Sequence, residues 1–121
     1  IGLGKIGCRV AELGKGFGMD VLSFSKSQKL IQNVTPKSFD DLLTLSDFIS
    51  INATYEIGLK NIFDENAISK LKPTCIIINT ARGEFVNETA IAKAIITNKM
   101  GGYATDVVSE LLLITVVSGV F

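Results

Sequence analysis

No histidine occurs anywhere in the 121 residues, cysteine occurs only as Cys8 and Cys75, and no run of Lys or Arg exceeds two. Without histidine or CxxC spacing the thiols make neither a zinc site nor a redox pair, and they are expected to be reduced and buried, as in a cytoplasmic protein. Twelve basic residues balance twelve acidic ones, so there is no electrostatic footprint for nucleic acid or anionic lipid, and a small molecule is the expected partner. The most apolar stretch, LLLITVVSGVF from Leu111 to Phe121, is too short to cross a bilayer core of about 30 Å, and no charged-then-apolar leader opens the chain. The chain is therefore read as soluble, with no membrane partner. Its length suits one domain. Because it opens at Ile1 rather than at Met and closes abruptly at Phe121, both ends are expected to be cuts in a longer protein.

What is present is an alternation of helical and strand patterns. Ile6, Val10, Leu13 and Phe17 recur at intervals of four, three and four, the apolar stripe of a helix, which the cluster Gly14, Gly16 and Gly18 is expected to end. DVLSF (Asp20 to Phe24), FISIN (Phe48 to Asn52) and CIIIN (Cys75 to Asn79) read as strands, the last the most β-branched. Ser38 is placed to cap a short helix through Leu43, with Asp41 in a box-like position, and Phe63, Ala67, Ile68 and Leu71 form another helical stripe stopped by Pro73. Asn87 is placed to cap a helix that turns Ala90, Ile91, Ala94 and Ile95 inward, before Gly101 and Gly102 lead into YATDVV. Continuous apolar strands are strands buried on both faces, so the expected fold is an α/β domain with a doubly wound parallel sheet of the Rossmann type. Residues 1–110 carry this pattern and residues 111–121 form an apolar tail.

GLGKIG occupies Gly2 to Gly7. In a dinucleotide-binding turn Gly2 permits the tight bend, Gly4 leaves room for a pyrophosphate, and Gly7 lets the following helix pack closely on the sheet. The helix N-terminus, opened by Lys5 and Ile6, offers free N–H groups to the phosphate. Such a turn needs a strand in front of it, yet only Ile1 precedes it here.

GLGKIG with KGFGMDVLSF, then DLLTLSDFISI, KPTCIIINTARGEFVNETAIAKAI and GGYATDVV, resembles the nucleotide-binding domain of the D-isomer-specific 2-hydroxyacid dehydrogenases. That family includes D-3-phosphoglycerate dehydrogenase and glyoxylate/hydroxypyruvate reductases. The resemblance runs without a gap from Gly2 to about Glu110, and NTARG followed by DVV is far more specific than the glycines. It implies an NAD(P)-dependent oxidoreductase acting on a D-2-hydroxy acid or 2-oxo acid, with a homodimeric parent protein. It also implies that the first strand ends at the glycine turn, so that all of it but Ile1 lies upstream of this chain.

By the same resemblance Gly2, Gly4, Lys5, Ile6 and Gly7 form the cofactor turn, and Thr80 and Ala81 line its nicotinamide end. Arg82 borders the cofactor and holds the substrate carboxylate, a role that suits a bidentate guanidinium. Asp106 contacts the nicotinamide carboxamide. The family's catalytic glutamate falls on Leu111, with Glu110 a displaced candidate one residue early, and the family's histidine has no counterpart. The ribose-binding aspartate aligns with Ser25. Loss of that carboxylate, with Lys26 and Ser27 beside it, favours NADP over NAD as the cofactor. No residue is expected to bind a metal. The isolated chain is expected to be inactive, and its tail, Leu111 to Val117, β-branched and apolar enough for a strand, is expected to promote aggregation if it stays unpaired. Two other readings of the fold remain open at this point: a non-catalytic nucleotide-sensing module of the corepressor kind, which retention of Arg82 opposes, and a methyltransferase, which NTARG does not fit.

Overall fold

A computed structural model describes residues 1–26 and 31–107. The elements run α1 (Lys5–Gly16), β1 (Val21–Ser23), β2 (Val34–Pro36), α2 (Phe39–Leu45), β3 (Phe48–Ile51), α3 (Glu65–Ser69), β4 (Ile76–Asn79), α4 (Glu88–Ile96) and β5 (Gly102–Thr105). All paired strands are parallel, as continuous apolar runs require. Ser27, Glu110, Leu111 and the apolar tail, on which a cofactor contact, a displaced acid and an aggregation-prone segment were expected, lie outside the described residues.

Local chemistry explains most boundaries. Ser38, Asp64 and Asn87 cap α2, α3 and α4, each side-chain oxygen accepting from the backbone N–H three residues on. Phe63, Ala67, Ile68 and Leu71 are all buried, although α3 itself is only five residues long. Phe63 enters this cluster from a parallel bridge to Val86 rather than from the helix. The unforeseen β2 is three residues ending in Pro36, too short for periodicity to show and disguised by a proline. The glycine cluster acts later than expected: α1 runs through Gly14 to Gly16, and Gly18 makes the exit with φ +78°.

One expectation about faces fails. The stripe on α1 points outward, with Ile6 69% and Phe17 81% exposed, while Gly7 and Ala11 are buried. The helix approaches β1 through its small residues, where a Cβ on Gly14 would already touch Val21 at 3.4 Å. Periodicity identified the helix but not which stripe meets the sheet.

The sheet is divided. β2-β1 and β3-β4-β5 form separate ladders, joined through the first two residues. The Ile1 amine donates to the Ser50 carbonyl at 2.7 Å, Asn52 N donates to the Ile1 carbonyl at 2.8 Å, and Gly2 N donates to the Phe24 carbonyl at 2.9 Å. Ile1 thus stands between β1 and β3 near their carboxyl ends, at the level of Ser50 and Asn52.

The core lies on the β3–β5 side, where Leu43, Ile51, Phe63, Cys75, Ile77 and Phe85 are fully buried. Burial, reinforced by Asp47 and partly offset by Lys72, pushes the Cys75 thiol up to about 11, which makes it inert at neutral pH. Cys8 is half-buried rather than buried, its thiol directed at the Leu3 carbonyl.

Candidate functional site

Register decides which loops meet. Ile51 pairs with Asn79 and Asn79 with Thr105, so Asn52, Thr80 and Asp106 leave the sheet side by side at its carboxyl edge. On the other flank Gly2 is bonded to Phe24, immediately before Ser25 and Lys26. The candidate residues therefore follow one another along one edge: Ser25 and Lys26, the glycine turn, Asn52, Thr80 to Arg82, then Asp106. That edge is where open α/β sheets receive ligands. A shallow cleft of about 380 Å³ between Pro73, Thr74, Ile95 and Gly101 opens at the opposite, amino end of β4 and β5 and holds none of them.

The three glycines of the turn differ in what requires them. Gly2 has φ +83°, and a Cβ there would lie 2.6 Å from the Ala53 Cα. A Cβ on Gly7 would lie 1.9 Å from the Gly2 carbonyl oxygen. The fold itself forbids a side chain at both. At Gly4 a Cβ would meet nothing within 4 Å, so the domain's own packing does not account for that glycine. Gly4 is also the N-cap of α1, no side chain caps the helix, and its first turn contains no acidic residue. The N–H groups at Lys5, Ile6 and Gly7 precede the first intrahelical donor, Cys8 N to Gly4 O at 2.9 Å. An anion fits this terminus electrostatically and has space to approach it.

The opposite end of the edge is organised by Asn79, a residue that the sequence pattern quoted but gave no role. It is fully buried. Its Nδ2 donates to the Arg82 carbonyl at 2.8 Å and to the Tyr103 hydroxyl at 3.2 Å, and its Oδ1 accepts from Ala81 N at 3.1 Å. Thr105 Oγ1 donates to the Asn79 carbonyl at 2.9 Å. A polar residue closing an apolar β-branched run was the available signal, since a buried amide must find partners. These bonds bend Thr80 to Arg82 into a fixed turn. Arg82 itself is exposed, its Nη1 donating to the Ala81 carbonyl at 2.7 Å. It forms no ion pair among the described residues, so no acidic side chain there competes with an incoming carboxylate for the guanidinium.

At the β1 end of this edge Lys26 is in an ion pair with Glu56 from the loop after β3. Nothing in the local sequence announces this pair, because its members lie 30 residues apart. Asp106 is exposed beside Thr80. Among the described residues no group of His, Cys, Asp and Glu could hold a metal ion, and no helix is long and apolar enough to cross a membrane.

A parallel sheet with a glycine turn feeding a helix N-terminus places the chain in the Rossmann class of dinucleotide-binding domains. The family model for the D-isomer specific 2-hydroxyacid dehydrogenase NAD binding domain matches residues 1–114, and the chain belongs to that family. It is 36% identical over 114 residues to the glyoxylate reductase of Aeropyrum pernix, covering 91% of this chain and 34% of that protein. Among solved structures it is similar to the D-lactate dehydrogenase of Aquifex aeolicus complexed with NAD and lactic acid, at 34% identity and TM-score 0.82, over 90% of this chain and 34% of that one. It is also similar to an acyclic imino acid reductase in complex with NADPH and D-arginine, at 29% identity and TM-score 0.85, over 90% of this chain and 36% of that one. The chain thus spans about a third of the length of these relatives.

Proposed function

We propose that this chain is the nucleotide-binding part of an NAD(P)-dependent oxidoreductase that moves a hydride between the nicotinamide and a D-2-hydroxy or 2-oxo acid. The observation that carries the reading is the helix N-terminus at Gly4, which no side chain caps, which holds no acidic residue in its first turn, and where the packing leaves open space. In this reading the N–H groups at Lys5, Ile6 and Gly7 hold the pyrophosphate. Ser25 and Lys26 face the adenosine ribose, and Thr80, Ala81 and Asp106 border the nicotinamide. The bound cofactor supplies the hydride chemistry. Arg82 grips the substrate carboxylate with both arms of its fork, which fixes the reacting carbon in place. The family's histidine has no counterpart in the 121 residues, and residues 1–121 alone are expected to be silent in turnover. Lys26 favours NADP only when it is released from Glu56.

The parent protein is read as a cytoplasmic homodimer taking no nucleic acid or membrane partner. Balanced charge, two cysteines outside any disulfide and the outward apolar stripe of α1 support that description. Gly4→Ala tests the central reading. With space around the added methyl, the thermal midpoint should stay within about 1 °C, while affinity for NADH or NADPH should fall at least about tenfold as the methyl obstructs the phosphate. Undiminished binding of both cofactors would overturn the assignment of this turn.

A further inference from the structure

The Lys26–Glu56 pair crosses the adenosine end of the carboxyl edge, Lys26 following β1 and Glu56 following β3. The loops carrying them flank the glycine turn, since Gly2 N bonds Phe24 on one side and Asn52 N bonds Ile1 on the other. Glu56 stands on a supported backbone. Its carbonyl accepts from Leu59 N at 2.8 Å as it caps the 3-10 turn Ile57–Leu59. Its neighbour Tyr55 sets its ring edge-on to the fully buried Phe85, centroids 5.7 Å apart. The carboxylate is thus presented from a fixed point beside the position that the adenosine ribose takes in the reading above.

We propose that Glu56 sets the cofactor choice of this site, holding Lys26 and favouring NAD over NADP. The inference rests on the nucleotide-binding reading of the same edge. Ser25 stands where the family resemblance places a carboxylate, and Glu56 returns one from a different strand. An ionised carboxylate accepts hydrogen bonds from ribose hydroxyls. It repels a 2′-phosphate, which carries about 1.5 to 2 negative charges at neutral pH. Lys26 alone would attract that phosphate, but the Glu56 carboxylate competes for it. The side chains are 73% and 54% exposed, so the pair is weak and easily parted. Removing Glu56 therefore transfers Lys26 to the phosphate.

The test is calorimetric titration of the full chain, wild type and variants, with NADH and with NADPH. Wild type should bind NADH more tightly. Glu56→Gln should shift the affinity ratio toward NADPH by about tenfold, the scale of one charge-assisted contact. Glu56→Asp should keep the wild-type preference, and Glu56→Gln with Lys26→Ala should lose the gain. The wild type alone gives a second measurement. If Glu56 repulsion dominates, added salt screens it and raises NADPH affinity relative to NADH, whereas dominant Lys26 attraction predicts the reverse. A Glu56→Gln ratio within twofold of wild type with both cofactors still bound overturns the role of Glu56 and leaves nucleotide binding standing. Failure of wild type to bind either cofactor overturns both.

Discussion

The two sides of the seam at Ile1 are built differently. On the β3–β5 side three strands bury Ile51, Phe63, Ile77 and Phe85 completely, and the site residues there hang from a saturated, buried amide at Asn79. On the β1–β2 side two strands of three residues pair with each other, and the site is an exposed ion pair. The first side can hold a reacting group to a narrow geometry, because dense packing and buried hydrogen bonds leave few alternatives. The second side offers charge at an exposed surface, which needs no such precision and changes with single substitutions. In the proposed function, positioning would fall to the β3–β5 side and selectivity to the β1–β2 side.

Substitutions should reproduce that asymmetry. Phe63→Ala removes a fully buried ring that meets Phe39 at 5.5 Å, and should cost about 3 to 5 kcal/mol in denaturant unfolding. Leu22→Ala in the half-buried β1 should cost about 1 kcal/mol by the same measurement. Equal losses would erase the distinction between the two sides.

In an enzyme that carries this domain, Arg82→Lys should lower turnover about a hundredfold, equal to about 2.7 kcal/mol of barrier, because lysine keeps the charge but loses the fork. Affinity for the cofactor should remain within about twofold of wild type, as the turn from Thr80 is held through the Arg82 backbone carbonyl. Unchanged kinetics would make Arg82 a surface residue.

The smallest effect belongs to the adenosine end. Lys26→Ala should change stability by less than about 0.5 kcal/mol, because the pair it breaks is exposed, while cofactor preference still shifts.

How much was legible depended on the range of the forces involved. The glycine turn, the caps at Ser38 and Asn87, the strands at residues 48–52 and 75–79, and the parallel α/β class all arise from interactions within a few residues. So does the segment NTARG, which points to the family, and the family model bears that out. These are consequences of backbone sterics, nearby hydrogen bonds and apolar periodicity, and the order of residues determines them alone.

Other features existed only after the chain closed on itself. That α1 meets the sheet through Gly7, Ala11 and Gly14 rather than through its apolar stripe was decided by how closely a helix must approach β1. The lack of room for a side chain at Gly2 depends on atoms contributed by Asn52 and Ala53. Asn79 acquired its role from Tyr103 and Arg82, and Lys26 lost its free charge to Glu56. Each of these turns on a contact between segments far apart in sequence. Such contacts are set by strand register and burial, neither of which is a property of any short stretch of the chain.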